Sequence, residues 1–123
     1  MSSIHQFIGN KQDFLWEGVK KETPISEGLK LITKQILVGS RDGAPHFSMR
    51  YFCLEPGGHT KLEKHAHEHG VIILHGKGKV RLGDIIHDLS PLDSIFISGD
   101  DLHQFTNPFN ESFGFICVIP IVE

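Results

Sequence analysis

Apolar residues along this chain gather into short segments: Leu29–Val38, Phe47–Leu54, Val71–Leu74, Ile85–Leu89, Ile95–Ile97 and Phe113–Ile119. Turn-forming clusters punctuate them, among them Gly39 to Pro45, Glu55-Pro56-Gly57-Gly58, Gly76-Lys77-Gly78, Gly83-Asp84, Ser90-Pro91, Ser98 to Asp101 and Asn107-Pro108. Short apolar segments at this spacing predict the strands of a β-sandwich or barrel. No window keeps apolar residues at i, i+3, i+4 and i+7 long enough to predict an amphipathic helix. Residues 1–28 are the least regular part and hold the single tryptophan, Trp16. They are expected to form an arm packed on the barrel or on a second subunit, with residues 29–123 forming the barrel. No repeat, linker or low-complexity tract divides the chain, so one domain is expected.

Composition narrows the class. With 123 residues, 39% of them hydrophobic and nine Phe, the chain can bury a core without disulfides. A formal net charge of -3 argues against the basic face that nucleic acid or an anionic membrane surface requires. The longest apolar runs, Val71–Leu74 and Phe115–Ile119, fall far short of the ~20 residues of a membrane span. Met1–Asn10 shows no signal-peptide pattern, and two cysteines make no disulfide framework, so a cytoplasmic protein is expected.

The nine histidines change the picture. They form no consecutive run, so they are not a tag, and neutral imidazole is the commonest metal ligand. His59, His65, His67 and His69 fall with Glu63 and Glu68 between positions 59 and 69. In an extended strand, residues i and i+2 share a face, so Glu63 and His65 are expected to point into one interior. His69 is expected to open the next strand, with Val71 and Ile73 on its side.

This stretch resembles the first motif of the cupin superfamily, G-x5-H-x-H-x3-E-x6-G. The intervals are met by Gly57, Glu63, His65, His69 and Gly76, with the ligand types permuted: Glu for the first His, His for the Glu. A register starting at His65-x-His67 would place Val71 in a ligand position, and Val cannot bind a metal. The second motif, G-x5-P-x-G-x2-H-x3-N, is met at His103 and Asn107, while Leu92, Ser98 and Asp100 stand at its Gly, Pro and Gly positions. The likeness runs over about residues 29 to 120 and is greatest to small single-domain microbial cupins with a histidine-rich site.

The resemblance implies an all-β, double-stranded β-helix barrel of the jelly-roll kind, a habit of dimerisation, and a metal held by Glu63, His65, His69 and His103. Three imidazoles and one carboxylate suit one divalent transition metal, with Mn or Fe favoured and Ni, Co, Cu and Zn also compatible. Absence of thiolate argues against a structural zinc site. Four protein ligands on an octahedral ion would leave two adjacent places for water, a chelating small molecule or dioxygen. Phe105, Ile73 and Cys117 are expected to line the pocket, and His67 and Glu68 to sit solvated in the connecting loop. His59, His75, His87, His46 and His5 are expected to be ordinary polar positions. Arg50 and Tyr51 alternate on a strand, where either could meet an anion, a rim salt bridge being the simpler fate for the Arg. The function expected is a metal-dependent enzyme on a small organic molecule, a dioxygenase-like oxidoreductase ahead of an isomerase. A non-catalytic ligand-binding or sensor module is the alternative.

Overall fold

A computed structural model describes residues 1–121, and among them nine strands and a single 3-10 turn, Ser40–Asp42, account for the regular structure. The strands are β1 (Lys21–Glu22), β2 (Lys30–Val38), β3 (Phe47–His59), β4 (His69–His75), β5 (Gly78–Leu82), β6 (Ile85–Leu89), β7 (Ser94–Ile97), β8 (His103–Thr106) and β9 (Phe113–Pro120). All pairings are antiparallel, in the order β6-β5-β8-β3-β9-β4-β7, with β2 also on β3 and β1 on β2. β3 therefore belongs to both halves of the curled sheet: its first part pairs with β2 and β9, and its end reaches β8 through His59 and Thr106. The strand turns this corner at Gly57, whose φ of 86° is left-handed backbone that a side chain would resist. Pro56-Gly57, expected as a turn that ends the strand, is thus a bend within it.

Register sets which residues face inward. Leu54 lies opposite Ile32 and Phe113; Phe52 opposite Lys34 and Phe115; Arg50 opposite Cys117, which in turn faces Val71 on β4. Directly opposed residues share a face. The interior thus grades from an apolar floor of Leu54, Phe113 and Ile73, each fully buried, to a polar end at Arg50 and Cys117. Apolar burial of this floor is the main source of the barrel's stability.

The N-terminal arm packs on the chain's own barrel, with Phe14 and Trp16 covering its outer face. Trp16 and Phe14 sit 5.1 and 5.6 Å from the ring of Tyr51, and Gln35 donates to the carbonyl of Phe14 at 2.7 Å. This cover explains why outward-pointing Gln35, Leu37 and Tyr51 are buried. Among the described residues, no helix is long and apolar enough to cross a membrane.

Candidate metal centre

Three histidines converge at the polar end of the interior. One ring nitrogen from each of His65, His69 and His103 lies within 4.8 Å of the others. Strand starts supply two of them: His69 opens β4 and His103 opens β8. His65 comes from the connection between β3 and β4. Glu63 and His65, expected on a strand, lie outside any named one; a single bridge between Glu63 and His103 holds their segment, with backbone bonds of 3.1 and 3.0 Å. The carbonyl of His65 also accepts from Asp100 N–H at 2.7 Å. These bonds fix the segment against β8, although it lacks the continuous ladder of a strand.

The outer nitrogens of the rings are engaged, which orients the inner ones. His103 Nδ1 lies 2.9 Å from the carbonyl of Asp101, a partner that makes Nδ1 the donor and leaves Nε2 free as a ligand atom. His69 Nδ1 lies 3.2 Å from Cys117 Sγ, while its Nε2 faces His65 Nδ1 at 3.2 Å. Burial, followed by the neighbouring His103 and His65, lowers His69 to about 3. It is therefore neutral and available as a ligand at neutral pH. Nitrogens bound to one ion at about 2.1 Å sit roughly 3 to 4 Å apart, so closing this cluster on a metal needs only small movements. The donor set fits a divalent transition metal.

Glu63 stands beside the three-histidine cluster, outside it. Its carboxylate is 3.4 Å from His65 Nε2, and its side chain is 46% exposed. From there it can orient the His65 ring, whose Nδ1 faces the cluster. His67 departs from its expected place in solvent. It lines the cavity with its ring stacked on His65 at 4.3 Å and 5.0 Å from His69, and burial and the charge of His65 lower its pKa. The two histidines of the H-x-H spacing, His65 and His67, thus both face the cavity. Glu68 is exposed.

The cluster opens on a cavity of about 330 Å³. Phe105 and Cys117 line it as expected, Phe105 stacked 4.4 Å from Phe115. Ile73 does not: fully buried one layer below, it belongs to the floor. Arg50 points into the cavity, donating to Cys117 Sγ at 3.3 Å with no carboxylate partner among the described residues, so the rim salt bridge expected of it is absent. Tyr51 points the other way and donates to His75 Nε2 at 2.6 Å beneath the N-terminal arm. His75, expected to be an ordinary polar position, is a bonded partner there, and burial lowers its pKa.

A family model described as a cupin domain matches residues 50–119. A protein of Rhodospirillum rubrum named 1-methylthio-D-xylulose 5-phosphate methylsulfurylase is 37% identical over 112 residues, which are 89% of this chain and 70% of that protein. A crystal structure of a cupin-2 domain from the same organism superposes with a TM-score of 0.83 at 34% identity, covering 95% of this chain and 79% of its own. A polyketide cyclase from Streptomyces resistomycificus gives a TM-score of 0.79 at 30% identity, covering 84% of this chain and 74% of its own.

Proposed function

We propose, from the premise that this chain belongs to the cupin domain family, that it is an enzyme dependent on a divalent transition metal and acting on a small organic molecule. The observation that carries this reading is the convergence of His65, His69 and His103 on a cavity large enough for such a molecule. The three imidazoles would hold the ion, with Glu63 orienting His65. When bound, the ion would supply Lewis acidity toward an oxygen of the ligand. The side chains do the rest: Phe105 and Phe115 keep water from the floor, the cation Arg50 attracts negative charge, and neutral His69 leaves a lone pair for the metal.

We favour a redox-neutral conversion, such as an isomerisation or group transfer, over a dioxygenase, on the name of the R. rubrum relative. The R. rubrum relative, named for a reaction on a sulfur-bearing sugar phosphate, also supports a small polar substrate.

Elemental analysis of protein purified without chelator tests the metal, and turnover of a panel of sugar phosphates and thioethers with and without oxygen tests the reaction class. We expect about one equivalent of transition metal and turnover indifferent to oxygen. Protein that neither contains nor rebinds a transition metal would sink the proposal; stoichiometric oxygen uptake would restore the dioxygenase reading.

A further inference from the structure

The cavity carries a second chemical feature that the metal reading does not use. Three cations line it: Lys34 from β2, Arg50 from β3 and Lys61 from the segment after β3. All three are half-buried, and among the described residues none has a carboxylate within ion-pair distance. Among the described residues the only lining carboxylate is Glu63, which leans on His65. This concentration of positive charge occurs in a chain whose formal net charge is -3. Partly desolvating cations without partners is unfavourable. An anion entering the cavity would reverse that cost, in a concave, low-dielectric setting that strengthens the attraction.

The cations are also placed for one ligand. Lys34 sits directly across the ladder from Phe52, two residues along β3 from Arg50 and on the same face. The Arg50 guanidinium lies over the Phe52 ring at 5.0 Å, which holds it in the cavity, and its Nε is buried without an acceptor. Arg50 is joined to the metal cluster by two short contacts, Nη2 to Cys117 Sγ at 3.3 Å and Sγ to His69 Nδ1 at 3.2 Å. The stem of Lys61 packs against Gly28, where an added Cβ would come within 3.1 Å of its Cγ, and the residue lines the cavity. A molecule anchored on these cations therefore has its remainder beside the histidines.

We propose that Lys34, Arg50 and Lys61 form an anion subsite that takes the phosphate of a small phosphate monoester, with the rest of the molecule directed at the histidine cluster. This rests on the reading of the cavity as a substrate site, and it names the substrate class. Phosphate is chosen over carboxylate on charge and geometry. A carboxylate carries one charge and is satisfied by a single bidentate arginine, whereas a phosphate dianion presents three oxygens to cations arriving from different elements.

Calorimetric titration of inorganic phosphate, glycerol 3-phosphate, glycerol and lactate tests the subsite, on the purified chain and on the same chain after chelation. Chelation removes any phosphate binding that comes from the ion alone. Glycerol 3-phosphate is expected to bind both forms, with glycerol and lactate at least tenfold weaker. Lys34→Ala and Lys61→Ala should each weaken binding about tenfold, the size of one lost charge-assisted hydrogen bond. Lys77→Ala, on an exposed turn outside the cavity, should leave it unchanged. Lactate binding as tightly as glycerol 3-phosphate would overturn the phosphate assignment. Phosphate binding that is absent after chelation, or insensitive to both lysine substitutions, would overturn the subsite. Metal content measured on the same samples separates the two ideas: phosphate bound to a chain that takes no metal sinks the metal reading alone, and metal bound without phosphate sinks the subsite alone.

Discussion

Asn107 ends the strand that presents His103, and replacing it with Ala gives a sharp test of how the barrel holds that strand. Its side chain is 1% exposed. Nδ2 donates to the carbonyls of Leu54 and Glu111 at 2.9 and 2.7 Å, and Oδ1 accepts from Phe109 N–H at 3.0 Å. The amide thus ties the corner of β3 to the loop leading into β9. The three bonds are not equal. Glu111 and Phe109 are exposed, so water can replace the amide there, but Leu54 is fully buried and no water can take the amide's place at its carbonyl. Removing the partner of one buried acceptor costs about 1–3 kcal/mol and the two replaceable bonds about 0.5 each, for a loss of about 3 kcal/mol in Asn107→Ala. At the usual unfolding entropy per residue, that lowers the Tm by about 10 °C. Asn107→Asp should be worse at neutral pH, since a carboxylate cannot donate and would face two carbonyl oxygens. Its deficit should shrink as the pH falls and the carboxyl regains a proton. Thermal unfolding of metal-free protein followed by circular dichroism reads both. A Tm loss under about 3 °C for Ala, or an Asp variant no less stable than Ala at pH 7, would refute the assignment of these bonds as the clasp.

Three further outcomes are expected. His69→Ala and His103→Ala should each lower metal affinity at least ~100-fold, and Glu63→Gln only about tenfold, measured by competition with a chelator; equal losses would place the Glu63 carboxylate on the ion. In metal-free protein, stability should fall as pH drops below about 6.5, because unfolded His69 takes up a proton there while burial keeps the folded one neutral to about 3. The unfolded state binds more protons throughout that window, so the free energy of unfolding rises with pH across it; urea midpoints showing no smaller a slope in His69→Gln than in wild type would contradict this. Leu92 holds a φ of 74° and is 75% exposed, so Leu92→Gly should relieve strain with little packing lost and raise stability by about 0.5 kcal/mol, a gain that thermal unfolding would show as a Tm higher by ~2 °C.

The strands were legible wherever apolar residues cluster between turn signals, whether or not the cluster is buried. Ile85–Leu89 matches β6 at both ends although only Leu89 is buried, and Phe113–Ile119 misses β9 by one residue. β5 was not legible: Gly78-Lys79-Val80-Arg81-Leu82 buries only alternate positions and is bounded by turn glycines, so it reads as turn throughout. The expected ligand intervals located His65, His69 and His103 because the sheet places them at strand starts or on a bridged segment, where sequence spacing translates directly into position. Side-chain direction was less accessible. Glu63 and His67 lie off the continuous ladders, and no strand periodicity fixes whether they reach the cluster or stand beside it.

Leu92 and Asp100 show what motif matching alone misses. They occupy the two glycine positions of the second cupin motif, a departure that by residue type argues for a different loop. Yet both have left-handed backbone, φ 74° and 66°. The conformation that glycine favours is kept although the glycines are gone, at a cost of about 1 kcal/mol per residue. Surrounding bonds hold it: Leu92 N–H donates to the carbonyl of Ile73 at 2.7 Å, and Asp100 N–H to that of His65 at 2.7 Å. The second bond joins this turn directly to a histidine of the cluster. A turn that anchors His65 on one side and leads into His103 on the other is constrained by what it positions, so its shape persists where its residue types do not.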